Sequence, residues 1–151
     1  MRGLYFEEFT VGMRFDHALT RTVTEWDNVQ FSTMTMNPQP LHIDAHFAAK
    51  TEFGRPLVNS LFTLGLMIGI SVAETTLRTT IANLGMTDVA FPAPVFQGDT
   101  LHVRTEIKSL RSSASRPKAG IVEFMHTAYN QDEVEVARCT RTAFMHRAPA
   151  A

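Results

Sequence analysis

His42 stands five residues after Asn37 and three after Gln39, in the segment Asn37-Pro38-Gln39-Pro40-Leu41-His42. An imidazole ordinarily titrates near neutrality, so it can take up a proton and return it. An amide has no comparable basicity, but its carbonyl oxygen can hold a water molecule. Further along, Asn59-Ser60 opens a long apolar run ending near Leu77. The first turn of a helix has unpaired N–H groups and the positive end of the helix dipole. Those groups suit an oxygen on which negative charge develops. A base, a water holder and oxyanion-binding amides are the parts of a proton-transfer site acting beside a carbonyl.

Each of these residues also has a purely structural reading. Asn37 could simply close a helix, Ser60 could cap one, and Asp44 fits an N-cap. His42-Ile43-Asp44-Ala45-His46 has two imidazoles, but no second ligand cluster accompanies them, so no metal is expected. Asp99 after Gly98 reads as a turn former, and Cys139 as packing on a strand. Arg116 and Lys118 lie in the polar stretch Ser112 to Lys118, which by default is a solvated, mobile loop.

The elements that must position these groups follow from periodicity. Phe9 to Gly12 reads as a turn and Met13 to Val23 as a first strand. Thr24 with Asp27 three residues on makes a shortened capping box. Trp26, Val29, Thr33 and Met36 then recur at helical spacing, predicting a core-facing stripe. The prolines of Asn37-Pro38-Gln39-Pro40 end that helix. His42 is expected in a loop, followed by a short helix from Ala45 to Lys50, a turn at Gly54-Arg55-Pro56, and a buried helix from Asn59 to Leu77. Strands are expected at Ile81 to Phe91, Thr100 to Ser109, Gly120 to Asn130 and Glu135 to His146, with a hairpin turn at Asn130 to Glu133. In the second of these, Leu101, Val103, Thr105 and Ile107 alternate with His102, Arg104, Glu106 and Lys108, giving one dry and one wet face. One strand, helices, then a run of strands predicts an α+β fold with an antiparallel sheet curled round the apolar helix.

The 151 residues fit a single domain, 1–151, with 44% apolar residues to form its core. Net charge is −1 and no basic tract occurs, so no nucleic-acid partner is expected. The apolar run is short and interrupted for a bilayer span, so no membrane is expected either. One cysteine allows no internal disulfide, and the first residues lack the apolar centre of a secretory signal. Together these predict a cytoplasmic location.

Asn37-Pro38-Gln39-Pro40-Leu41-His42-Ile43-Asp44, with Phe53-Gly54-Arg55-Pro56-Leu57-Val58 and the later Phe91-Pro92-Ala93-Pro94-Val95-Phe96-Gln97-Gly98-Asp99, resembles the MaoC-like dehydratases, which include the R-specific enoyl-CoA hydratases. The resemblance covers nearly the whole chain. It implies a hot-dog fold, acyl-CoA thioester substrates, no separate cofactor, and a homodimer or larger assembly. It further implies that His42 and residue 37 grip a water, and that amides around Asn59 and Ser60 polarise the thioester carbonyl. Arg116 and Lys118 would then meet the CoA phosphates. The chain departs from the family pattern where it has Asn37 for an aspartate, Gln39 for an asparagine, and Asn59-Ser60 for His-Gly.

The resulting expectation is a hydro-lyase that hydrates a 2-enoyl-CoA or dehydrates a 3-hydroxyacyl-CoA. His42 is its base, Asn37 positions water, and Gln39, Asn59 and Ser60 contact substrate. The exchange of acid for amide at Asn37 leaves open a non-catalytic acyl-CoA-binding protein. A hot-dog thioesterase is a third reading, but Glu74 lies far from the helix start such an enzyme would use.

Overall fold

The computed structural model describes residues 1–149. Strands β1 (Arg14–Asp16) and β2 (Arg21–Thr22) are followed by helices α1 (Glu25–Met34), α2 (Pro40–Ile43), α3 (Ala45–Ala48) and α4 (Ser60–Thr75). Four long strands complete the chain: β3 (Thr80–Ala90), β4 (Thr100–Ser112), β5 (Ala119–Tyr129) and β6 (Glu135–His146). The sheet runs β1-β4-β5-β6-β3, with β2 also on β4 and every pair antiparallel.

The strand alternation decides which face closes on α4. Leu101, Val103 and Ile107 of β4 are fully buried, as are Ala128 of β5 and Ala137 of β6. Met67 and Ile70 of α4 pack with Leu101, Val103, Ala128, Val136 and Cys139 in one cluster. Each such large side chain contributes about 1.5–3 kcal/mol by leaving water. A second cluster seats Phe9 against Ile107, Phe124 and Met145 beneath the N-terminal segment.

A row of buried polar groups crosses this core. His17 joins Glu74 of α4 through Nδ1 and Thr105 of β4 through Nε2, and the Thr105 hydroxyl also meets His126 Nδ1 at 2.8 Å. The Thr105 hydroxyl is thus shared between the two imidazoles, Nε2 of His17 on one side and Nδ1 of His126 on the other. His126 Nε2 and the buried Arg141 Nε and Nη2 have no hydrogen-bond partner among the described residues. Burial above all, then the nearby Arg141 and His17, holds the His126 pKa well below the usual imidazole range, so the ring is neutral.

Several expectations need correction. The predicted first strand is two short pieces, because His17 turns inward to the buried polar row between them. The α1 stripe does not face the core: Trp26 and Met36 are 67% and 89% exposed, Thr33 is exposed and Val29 is half-buried, whereas Asp27, Asn28 and Ser32 are buried. Helix α1 stops at Met34, and Met36 adopts φ 57 as the Asn37 N–H donates to the Ser32 carbonyl at 2.8 Å. His42 lies in a one-turn helix with Pro40 at its start, not in a loop. The following helix is shorter than Ala45 to Lys50. Helix α4 runs Ser60–Thr75, and Leu61, Gly65 and Gly69 leave one side of it exposed. Strand β4 extends to Ser112, taking up the start of the expected loop.

Candidate active site

Construction of the site begins at the Thr24 cap. The Thr24 hydroxyl accepts from the Asp27 N–H, and the Asp27 carboxylate accepts from the Thr24 N–H, completing the box. Arg21 grips both oxygens of the same carboxylate at 2.8 and 3.0 Å. Burial raises the Asp27 pKa, but Arg21 and the Thr24 donors outweigh it, so its carboxyl sits below the ordinary range. The box fixes the rotation of α1, and Asn28 therefore points inward.

The Asn28 amide makes three bonds. Its Nδ2 donates to the carbonyls of His42 and Leu57, each at 3.0 Å, and its Oδ1 accepts from the Asn59 N–H at 2.9 Å. One buried side chain thus joins the imidazole's own segment to the start of α4. Ser32, one turn later, receives the Asn59 Nδ2 at 3.3 Å. Leu57 is further held by a bridge to Phe96 and by its N–H to the Leu41 carbonyl.

His42 is half-buried, and its Nδ1 donates to the Leu57 carbonyl at 2.7 Å. A carbonyl only accepts, so Nδ1 carries a proton, and Nε2 makes no hydrogen bond among the described residues. Asn59 caps α4, its Oδ1 accepting from the Leu61 N–H at 3.1 Å. The Asn59 N–H is committed to Asn28 and cannot meet a substrate, which corrects the expectation for that amide. Ser60 and Phe62 N–H make no hydrogen bond among the described residues. Ser60 lines an apolar cavity of about 330 Å³ walled by Phe53, Leu57, Phe91, Pro92, Val95 and Val136. Leu57, the residue that holds the imidazole, is three residues before Ser60, a span of roughly 11 Å at most.

Asn37 and Gln39 lie just before the imidazole. The Asn37 Oδ1 accepts from the Gln39 N–H at 3.1 Å, and Gln39 Oε1 caps α2 at the Leu41 N–H. Arg116 is not brought to this group within one chain. It stacks over Phe144 and lines a separate cavity of about 310 Å³ with Ile81, Ala82 and Leu84. Along β6, eight residues from Val136 to Phe144 separate the two cavities by about 27 Å. Lys118, two residues beyond Arg116, leads into β5 at that same end. Glu74 lies about 21 Å along α4 from Ser60 and is committed to His17. Asn28, Ser32 and Leu57 were not anticipated. A polar pair four residues apart, behind a capping box that fixes its direction, was the available signal for Asn28 and Ser32.

Within the described residues no cluster of His, Cys, Asp or Glu suits a metal ion, and no helix is long and apolar enough to cross a membrane.

An antiparallel sheet curled round one apolar helix is a hot-dog fold. A Mycobacterium tuberculosis structure described as a double hot-dog fold superposes with a TM-score of 0.88 at 25% identity, covering 99% of this chain and 46% of that one. Residues 7–130 match the family described as MaoC like domain, and the chain belongs to that family. It is 32% identical to a 3-hydroxybutyryl-CoA dehydratase of Methylorubrum extorquens over 114 residues, 73% of this chain and 68% of that protein. It is also 32% identical to a β-methylmalyl-CoA dehydratase of Chloroflexus aurantiacus over 133 residues, covering 87% of this chain. The chain spans only 37% of that second relative's length.

Proposed function

We propose that this chain is an acyl-CoA hydro-lyase that adds water to a 2-enoyl thioester or removes it from a 3-hydroxyacyl thioester. One observation carries the reading: the Nδ1–H of His42 is spent on the carbonyl of Leu57, which lines the same cavity as Ser60, so Nε2 is left to act as the base. The two relatives named as dehydratases of CoA thioesters support the substrate class.

In the hydration direction, the water oxygen bonds to the β carbon as His42 Nε2 takes the water's proton. The electron pair of the double bond moves through the α carbon onto the thioester oxygen. The Ser60 N–H and the dipole of α4 stabilise that oxygen; one such donor is typically worth about 3 kcal/mol. His42 returns the proton to the α carbon, and the thioester carbonyl re-forms. Asn37 orients the water with its carbonyl oxygen, and Gln39 lines the approach.

The chain works as one hot-dog unit in a homodimer or larger assembly, in the reducing cytoplasm that its lone buried thiol suits. Strand β3 is a sheet edge with Leu84 53% and Val89 42% exposed, a surface that ordinarily needs a cover. Antiparallel pairing of β3 with its copy would set the Ile81 end of one strand near the Phe91 end of the other. Arg116 and Lys118 would then approach the partner's cavity, where CoA phosphates are their natural ligand. A monomer in sedimentation at micromolar concentration would refute this assembly.

The test of the reaction is loss of enoyl-thioester absorbance across a panel including crotonyl-CoA and mesaconyl-CoA. Turnover should fall about 100- to 10,000-fold in His42→Ala. No turnover on any enoyl thioester would overturn the hydro-lyase. Acyl-CoA binding without turnover, with activity gained in Asn37→Asp, would instead identify a non-catalytic acyl-CoA-binding protein. That reading draws on the amide at position 37, whose Oδ1 is already engaged by the Gln39 N–H. Release of free CoA thiol would identify a thioesterase.

A further inference from the structure

Arg55 stands between two residues that wall the apolar cavity, Phe53 and Leu57, yet it has no partner of opposite charge. Its guanidinium lies 3.9 Å from the centre of the Phe96 ring. Among the described residues it makes no salt bridge and no side-chain hydrogen bond, whereas Arg2, Arg14, Arg21, Arg104, Arg138 and Arg147 each pair with a carboxylate.

The local chain holds this cation in place. Gly54 at φ 68 makes the turn into it, a conformation a side chain would strain. Pro56 restricts the backbone of Arg55 itself. Two residues on, Leu57 is bridged to Phe96, so the strip bearing the cation and the strip bearing its aromatic shelf are one unit. Phe96 is fixed in turn by its N–H, which donates to Asp99 Oδ2 at 2.8 Å. A guanidinium stacked on a ring spends its face and keeps its N–H edge, the fork that matches a carboxylate or phosphate. Leu57 also accepts from His42 Nδ1, so the strip that bears this edge is tied by a hydrogen bond to the imidazole.

We propose that Arg55 is a substrate-binding residue at the rim of the cavity, pairing with an oxyanion of the thioester substrate. This deepens the hydro-lyase reading and rests on it. Two parts of such a substrate carry the required chemistry: the phosphates of CoA, and a second carboxylate on the acyl group. In both cases Arg55 adds binding without touching the reacting carbons, so its loss should raise KM and leave kcat nearly unchanged.

The experiment compares wild type, Arg55→Gln and Phe96→Leu on three substrates: crotonyl-CoA, crotonyl-pantetheine, which lacks the phosphates, and mesaconyl-CoA, which adds a carboxylate. Arg55→Gln should raise KM roughly 10- to 100-fold on any substrate bearing the recognised group, as expected for a lost charge-assisted fork. Phe96→Leu keeps the charge but removes its shelf, and should give a smaller rise. A rise on both CoA thioesters that vanishes on the pantetheine thioester assigns the phosphates. A rise on mesaconyl-CoA alone assigns the carboxylate. Unchanged KM on all three, in variants with wild-type circular dichroism, overturns the proposal while the hydro-lyase stands. Should wild type turn over none of them, the hydro-lyase fails, and calorimetric binding of CoA and mesaconyl-CoA decides Arg55 alone: equal affinity in wild type and Arg55→Gln overturns it. Phe96→Leu also covers misfolding of Arg55→Gln, since unchanged KM or affinity in a folded Phe96→Leu counts against the pairing.

Discussion

Asn28 accepts the backbone N–H of Asn59 at 2.9 Å, and through this bond the second turn of α1 holds the entry to α4. The same amide donates to the His42 and Leu57 carbonyls, so it sets the spacing of base and helix start together. Asn28→Leu keeps the branched shape but strands the His42 carbonyl and the Asn59 N–H, and leaves the Leu57 carbonyl with His42 as its only side-chain donor. It should cost about 3 kcal/mol of stability in urea unfolding. Asn28→Asp retains the acceptor for Asn59 but turns a carboxylate toward two carbonyls, and should be no better. A loss under about 0.5 kcal/mol in both variants would show that these bonds do not organise the site.

Ser60 occupies the first helical position of α4, where proline is well tolerated because its missing N–H has no partner inside the helix. Asn59 is already extended at φ −58 and ψ 123, as a residue before proline prefers. Ser60→Pro therefore deletes one donor while leaving the helix in place. Hydration should slow about 100- to 1,000-fold with the melting curve little changed. Ser60→Ala keeps the N–H and should stay within a few-fold of wild type. Equal rates in all three proteins would place the oxyanion elsewhere.

Asp27 makes the acid limb of stability predictable. Its folded pKa is depressed, so its contribution is complete above the unfolded carboxylate value, about 3.9, and drains away as pH falls through the folded value. The stability gap between wild type and Asp27→Asn should be largest near neutrality and shrink below about pH 4. A gap constant down to strongly acid conditions would contradict the Arg21–Asp27 pairing.

His126 acts over a different window. Its folded pKa lies below the unfolded value of about 6.5, so the unfolded chain binds a proton there that the folded one refuses. Stability should decline as pH drops below about 6.5, with His126 contributing up to roughly 1.4 kcal/mol per pH unit. His126→Gln should flatten the profile between pH 6.5 and 5 whatever its effect at neutrality. A profile as steep as wild type's would show that another group takes the proton.

Much of this architecture was legible because periodicity reports burial directly. The alternation from Leu101 to Ile107 located β4 and its dry face, and Glu135 to His146 was found with both ends correct. The α1 stripe was misread because apolar spacing was taken as the core signal, when the inward face of α1 is polar and tied by hydrogen bonds. The site was legible in part. The sequence offered His42 and Ser60 as candidates by type and position, but spacing alone could not reveal that the Asn59 N–H is already engaged. Nor could it show that Arg116 sits at the far end of the sheet, since that follows from the register of β5 on β6.

The strand order also bears on how the chain is made. Thr80 pairs with Met145 and Ala90 with Arg138, so β3 acquires its sheet neighbour only after β4 and β5 have been made and β6 follows. Until then a long, partly apolar ribbon emerges with both margins open, beside a helix whose wrapping is unfinished. Such distant pairing slows folding and lengthens exposure to aggregation. Nascent chains halted before residue 135 should therefore be the ones that chaperones hold longest.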